Sequence, residues 1–236
     1  MNKPKGETRA SDVLQRMRND IVSCALLPGE RLRFEALRDR YEVSFSTLRE
    51  ALSRLFVEEL VVFEEQKGFF VSPVSIDDLL DLTNTRVLIE KEALRLSIIH
   101  GDDAWEASIV GSFHRMHRLQ ERLGEQYFLN EEWSPIHEAF HLALVSACRS
   151  PNLLGIRHKL GARALRYRRM SSTFRVKWRS KEVEHKAIMD AALARDEALA
   201  LSRIESHIRE TTENLIKYAG HFFSDDAKEP LRAASG

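Results

Sequence analysis

Cysteine is almost missing from this 236-residue sequence: Cys24 and Cys148 stand alone, and no C-x-x-C occurs. That speaks against a disulfide framework and for a reducing cytoplasm. Long apolar runs are missing as well. None approaches the ~20 residues of a membrane span, and Met1 to Arg18 is polar and charged rather than a leader with an apolar centre. A cytoplasmic protein with no membrane partner is expected. Net charge is the third absence, since Lys plus Arg and Asp plus Glu number 36 each. A nonspecific nucleic-acid coat would carry an overall basic surplus. Any affinity for DNA must therefore come from a local surface, doubled if the chain dimerises. What is present, 43% hydrophobic and 31% charged residues, suffices for a good core and suits two domains.

The most informative stretch is Val43-Ser44-Phe45-Ser46-Thr47-Leu48-Arg49-Glu50-Ala51-Leu52. It sets hydroxyls and an arginine at the start of an amphipathic helix that follows a short helix and a tight turn. A helix-turn-helix presents groups to a DNA major groove in this way. Upstream, Val13, Leu14, Met17 and Ile21 recur at helical spacing behind Ser11, a good N-cap, and the pattern stops before Leu27-Pro28-Gly29. Phe34, Leu37 and Tyr41 mark a second helix ending near Glu42-Val43. Ser44, Ser46 or Thr47 can cap the third, with Thr47-x-x-Glu50 fitting a capping box. Leu48, Leu52, Leu55 and Phe56 give that helix a buried face, opposite Arg49, Ser53 and Arg54. Val61-Val62-Phe63 and Phe69-Phe70-Val71 favour strands and flank Glu64-Glu65-Gln66-Lys67-Gly68, a Gly-tipped hairpin. Three helices and a hairpin predict a winged helix over residues 1–74. The plain alternative is ordinary core packing by a capped amphipathic helix. On the DNA reading, Arg49 takes a base or phosphate, Ser46 and Thr47 take phosphates or bases, and Arg54 takes the backbone. Gln66, Lys67 and Gly68 reach out from the wing. Phe45 offers only apolar contact, for instance to a thymine methyl or against a sugar.

Strand signals all but vanish after Val74. Helical patterns run near 76–100, 102–125, 131–149, 151–172, 178–195 and 197–222, punctuated by Gly101, Gly124, Ser150-Pro151 and Asp196. The chain is thus mainly α, and residues 75–223 form an all-helical bundle of six or seven helices. The polar tail 224–236 and residues 1–9 are expected to be mobile.

His137 and His141, at i and i+4, project from one helix face about a turn apart and can grip one ion. His185 and His207, on later helices, would close the set. Four imidazoles suit zinc, nickel or copper better than magnesium, calcium or manganese. Taken singly, each histidine is better read as a core or surface residue without metal, and only the joint arrangement points to an ion. His137-Glu138-Ala139-Phe140-His141 also spells H-E-x-x-H, which on a helix can mark a zinc metallopeptidase with the glutamate as general base. Against that enzyme, the motif fixes three letters, no substrate-binding strand is visible, and the winged helix goes unexplained. Four histidine ligands would also leave the ion few open positions for hydrolysis.

From Arg149 to Lys181 there is no Asp or Glu, while Arg157, Lys159, Arg163, Arg166, Arg168, Arg169, Arg175, Lys177 and Arg179 accumulate. Most of this reads as a solvated helix face. Arginines pointing inward beside the histidines would instead hold a carboxylate through paired hydrogen bonds. Arg86 and Arg166, with Tyr167, are the effector-binding candidates. Arg86 is equally readable as the partner of Glu90 one turn on.

These residues carry a family resemblance. Ile21, Leu26-Leu27-Pro28-Gly29-Glu30-Arg31-Leu32, Val43-Ser44, Arg49-Glu50-Ala51-Leu52, Leu55 and Gly68 resemble the N-terminal signature of the GntR family of bacterial transcription regulators. The likeness covers most of residues 10–75. Arg86-x-x-x-Glu90-x-x-Ala93, Phe140-His141, Glu184-His185-x-x-Ile188 and His207-Ile208 stand in the order of the helical effector (FCD) domain of the family's fatty-acid-regulator branch. Trp105-Glu106, Ala147-Cys148 and Arg166-Tyr167-Arg168 are similar to the carbon-starvation-induced, glutarate-responsive repressors of that branch. The resemblance implies a homodimeric repressor without catalytic residues, bound to a palindromic double-stranded operator. It further implies release by a small organic (di)carboxylate bound through a metal, for which the four imidazoles point to a divalent transition ion, zinc or nickel. Two residues depart from the pattern. Phe45 stands where many members carry a guanine-reading arginine, so the operator sequence does not transfer. His137 stands where the usual ligand is an aspartate.

Overall fold

A computed structural model describes residues 9–124, 127, 130, 132–173 and 182–219. Of the tails expected at 1–9 and 224–236, residues 1–8 and 224–236 lie outside the described residues, as do Arg175, Lys177 and Arg179 of the basic stretch, while Arg9 already belongs to a helix. The elements in order are α1 (Arg9–Val22), α2 (Phe34–Tyr41), α3 (Phe45–Val57), β1 (Val61–Glu64), β2 (Gly68–Val71), α4 (Ile76–His100), α5 (Asp103–Leu123), α6 (Trp133–Val145), α7 (Pro151–Thr173), α8 (Glu182–Leu193) and α9 (Glu197–Ala219). They form two compact units. The first holds the described residues up to Leu79 together with Ala162–Ser171 of α7, and the second holds Leu80–Gly161 and the described residues from Ser172 to Tyr218.

The first unit is a winged helix. Val13, Met17 and Ile21 of α1 meet Leu48, Leu52 and Leu55 of α3 in one buried cluster, closed by Leu37, Leu60 and Val71. Glu42 ends α2 in the left-handed region at φ 55°, its N–H returning to the Arg38 carbonyl. Ser44 then caps α3, its Oγ accepting from the Thr47 N–H at 3.3 Å. The capping box expected from Thr47 and Glu50 does not form, because Ser44 is the N-cap and Thr47 already lies inside the helix; Glu50 accepts from Arg54 at 2.7 Å. Two further expectations are corrected. Helix α1 starts at Arg9, so Ser11 lies within it. Phe56 is 50% exposed rather than buried. The wing pairs Val61 with Val71 through Glu64 with Gly68, antiparallel. Leu27-Pro28-Gly29 leads into an extended piece that lies along β2, with Leu32 N–H to Phe69 O at 2.8 Å and Val71 N–H to Glu30 O at 2.9 Å.

The second unit is helical. Local caps set the starts of its helices: Asp102 accepts from the Trp105 N–H, Ser150 from the Leu153 N–H and Asp196 from the Leu199 N–H. The core gathers Leu94, Ile98, Trp105, Ile109, Met116, Phe140, Leu144, Ile188, Ala192 and Ile204. Trp105 fixes α5 to α6 by donating its indole N–H to the Leu144 carbonyl at 3.2 Å. Only glycine fits at 101, where an added Cβ would sit 2.2 Å from the Trp105 ring and 2.7 Å from the Ser97 carbonyl. Lys91 with Glu205 (2.6 Å) and buried Thr83 with Thr212 (2.7 Å) tie α4 to α9. Phe140 and Leu144 of α6, Ile188 of α8 and Ile204 of α9 share this core, which brings the inner faces of the three helices together.

Candidate metal centre and nucleic-acid interface

Four histidines converge in the helical unit. His137 and His141 come from α6, His185 from α8 and His207 from α9; all are buried, and their ligand atoms lie within 4.8 Å of one another. The Nε2 of His137 lies 3.1 Å from that of His185 and 3.2 Å from that of His141. His207 turns its Nδ1 to the Glu184 carboxylate at 3.1 Å, which fixes the ring and leaves its Nε2 for the centre. Nitrogens packed against nitrogens in a dry interior need a proton or a cation between them. The donor set fits a divalent transition ion with imidazole preference. Aromatic rings brace it: Phe140 stands edge-on to His141 and His185 at 5.3 and 5.5 Å, and Trp133 lies 5.2 Å from His137.

A buried ion cluster stands on α4, α6 and α7. Arg157 donates from Nε to Glu90 at 3.0 Å and from Nη1 to Glu138 at 2.7 Å. Burial alone would lower the Arg157 pKa, but the Glu90 and Glu138 carboxylates raise it above the ordinary arginine value. Arg86 reaches Glu90 more loosely, at 3.8 Å, and its buried Nε has no hydrogen-bond partner. Burial pulls its pKa down, opposed by Glu90 and Glu138. Glu138 is therefore committed to an arginine, although the peptidase reading would need it as the base beside the ion.

The other two effector candidates fall in the first unit. Buried Arg166 donates to the Ser72 carbonyl, and burial brings its pKa down to about 10. The Tyr167 hydroxyl donates to Asp78 at 2.6 Å and sits 3.3 Å from the Ser75 N–H. Arg163 bridges Glu59 and Asp78 at 2.7 and 2.6 Å. Arg157, Arg163 and Arg166 are thus engaged and not a solvated face. Sequence reasoning missed the Arg157 cluster and the Glu184 support of His207. A signal existed: a basic stretch with no acid of its own has to find counterions on other elements.

On the winged helix, the DNA-contact candidates share the start of α3 and the wing. Phe45, Ser46, Arg49 and Arg54 are exposed. Ser46 and Thr47 hydroxyls lie 2.8 and 2.9 Å from the Ser44 Oγ. Arg54 is paired with Glu50, whereas Arg49 has no ion pair among the described residues. At the wing tip Lys67 pairs with Glu64 at 2.8 Å, and Gln66 and Gly68 take φ of 63° and 94°.

Comparison with known proteins agrees with both halves. Residues 9–71 match the model of the bacterial regulatory proteins of the gntR family, and residues 81–210 match the FCD domain. The chain is 41% identical to the HTH-type transcriptional regulator BphR of Paraburkholderia xenovorans over 87% of this chain and 84% of that one. It is 35% identical to the HTH-type transcriptional repressor GlaR of Escherichia coli, over 81% and 89% respectively. Among solved structures, E. coli McbR/YncC shares the fold with a TM-score of 0.73 at 18% identity, covering 90% of this chain and 99% of that one. Among the described residues, no helix is long and apolar enough to cross a membrane.

Proposed function

This chain belongs to the gntR family of bacterial regulatory proteins and carries an FCD domain, and from that premise we propose a repressor released from a palindromic operator by a small organic acid held at its histidine cluster. Its relatives are transcription regulators and not enzymes. The observation that carries the ligand half of the proposal is the convergence of four buried imidazoles within 4.8 Å. His137, His141, His185 and His207 would hold zinc or nickel, and the bound ion supplies a positive centre for a carboxylate oxygen. Arg86, with an unpartnered buried Nε, is the proposed second contact for a dicarboxylate. Arg166 and Tyr167 would first have to leave Ser72, Ser75 and Asp78.

Two copies of the winged helix, related by a two-fold axis, would read half-sites about one DNA turn apart. Arg49, Ser46, Thr47 and the wing residues Gln66 and Lys67 supply the contacts. The acid must prefer one arrangement of the dimer, since equal affinity for both shifts nothing. The repressor sense follows the name of the E. coli relative.

The test starts from an operator selected by the full-length protein from genomic fragments, followed by fluorescence anisotropy with C4 to C6 dicarboxylates, glutarate among them. The expected release is about 5- to 150-fold in operator affinity. Metal analysis of untagged protein should find one ion per chain, lost on joint His141→Ala and His185→Ala substitution together with the acid response. Wild-type protein that holds no metal and still answers the acid would refute the metal site.

A further inference from the structure

Phe45 opens α3 as the first residue after the Ser44 cap and is 43% exposed. It is one end of a row of rings: Phe45 to Phe34 at 6.2 Å, Phe34 to Phe69 at 6.2 Å, and Phe69 to Phe63 at 5.0 Å. Phe63 at the other end is 54% exposed. Contiguous exposed apolar surface marks a recognition site far more often than a single exposed ring does. The Phe45 ring is also fixed in place. Phe34 packs on it at a tilt of 52°, and the Arg38 guanidinium lies 5.3 Å from its centroid. Arg38 in turn gives Nε and Nη2 to the Asp39 carboxylate at 3.1 and 3.0 Å.

The first turn of α3 therefore presents a rigid apolar edge whose neighbouring guanidinium is already engaged by a ring and a carboxylate. Arg49, four residues on, shares that face of the helix. In the major groove guanine offers two acceptors, cytosine a donor and adenine one of each; a phenyl ring satisfies none of them. The C5-methyl group of thymine is the feature that gains from apolar contact. We propose that Phe45 makes the operator carry a thymine, read through its methyl, at the base pair facing the first turn of α3. The inference rests on the DNA-binding reading above. The same methyl on 5-methylcytosine would meet the same ring.

The test uses the full-length protein and a duplex that it selects from a random pool. Thymines of each half-site are replaced one at a time by deoxyuridine, which deletes the methyl alone. At one position binding should weaken about 4-fold, the worth of one buried methyl. At that position 5-methyldeoxycytidine should bind more tightly than deoxycytidine. Phe45→Ala should abolish the difference between thymine and uracil there, and Phe45→Arg should shift selection from thymine to guanine. Equal binding of uracil and thymine at every position, or an unchanged ratio in Phe45→Ala, overturns the inference while leaving DNA binding intact. Selection of no duplex at all would overturn both.

Discussion

Replacing Arg157 by methionine should cost the helical unit about 3 kcal/mol, because it strands a buried carboxylate. Glu90 is buried, and two cations face it: Arg157 at 3.0 Å and Arg86 at 3.8 Å. Removing one partner of a buried pair typically costs about 3–5 kcal/mol, and the remaining Arg86 holds this case at the low end. Glu138, at the other end of the Arg157 guanidinium, has a side chain 42% exposed. Water screens that contact, so Glu138→Gln should cost about 0–1 kcal/mol. Joint Glu90→Gln and Arg157→Met substitution removes the Glu90–Arg157 pair together and leaves Arg86, which the Glu90→Gln change alone already strands. It should recover about 2 kcal/mol relative to the sum of the single losses. Urea unfolding followed by tryptophan fluorescence measures these differences, with Trp105 and Trp133 both lying in this unit. A variant Arg157→Met within about 0.5 kcal/mol of wild type, the range of ordinary surface substitutions, would refute the reasoning. So would an equal cost for Glu138→Gln, which would mean that exposure does not divide the cluster as argued.

Arg49→Ala should weaken binding to the selected operator about 5- to 150-fold, the worth of one good base contact, with an unchanged circular dichroism spectrum; undiminished affinity in a gel-shift titration would remove Arg49 from the interface. Glu184→Gln leaves all four imidazoles in place but loosens the His207 ring, so metal affinity in a chelator competition should fall about 10- to 100-fold. Wild-type affinity there would mean that the Nδ1 contact tunes nothing. Gly101→Ala drives a methyl into the Trp105 ring and the Ser97 carbonyl and should cost about 1–3 kcal/mol on thermal unfolding. A wild-type transition would show that the α4 to α5 corner gives way freely.

Signals carried by neighbouring residues were legible in the sequence. Asp102, Ser150 and Asp196 are local caps, and the observed helices begin beside them. His137 and His141 needed only the helical repeat to be placed together. Phe56 shows that an apolar residue in a helical pattern is not thereby a buried one. At about 100° per residue, Ala51, Leu55, Leu48 and Leu52 fill an arc of about 100°, and Phe56 falls about 40° beyond its edge. The Thr47 capping box is displaced by Ser44, which caps the helix three residues earlier and takes the Thr47 N–H itself. Long-range partners were not legible. Arg157 and Glu90 are 67 positions apart, and Glu184 meets His207 across two helices.

The H-E-x-x-H letters show why spacing identifies a face and not a chemistry. In helix α6 the two histidines point inward, while Glu138, one step further round, turns about 100° away from His137. There it meets Arg157 at 2.7 Å. A general base must stand within hydrogen-bond reach of the water it activates, and this carboxylate is held elsewhere by a cation. Meanwhile His185 and His207 lie where they would fill positions that a hydrolytic ion keeps open. The substitution of an imidazole for an aspartate at 137 adds a further consequence. Four neutral ligands would leave the charge of a bound divalent ion uncompensated in a buried site, with the Glu184 carboxylate one hydrogen bond behind His207. An anionic guest would restore the balance that an aspartate at 137 would give. That charge balance supports the carboxylate effector proposed above.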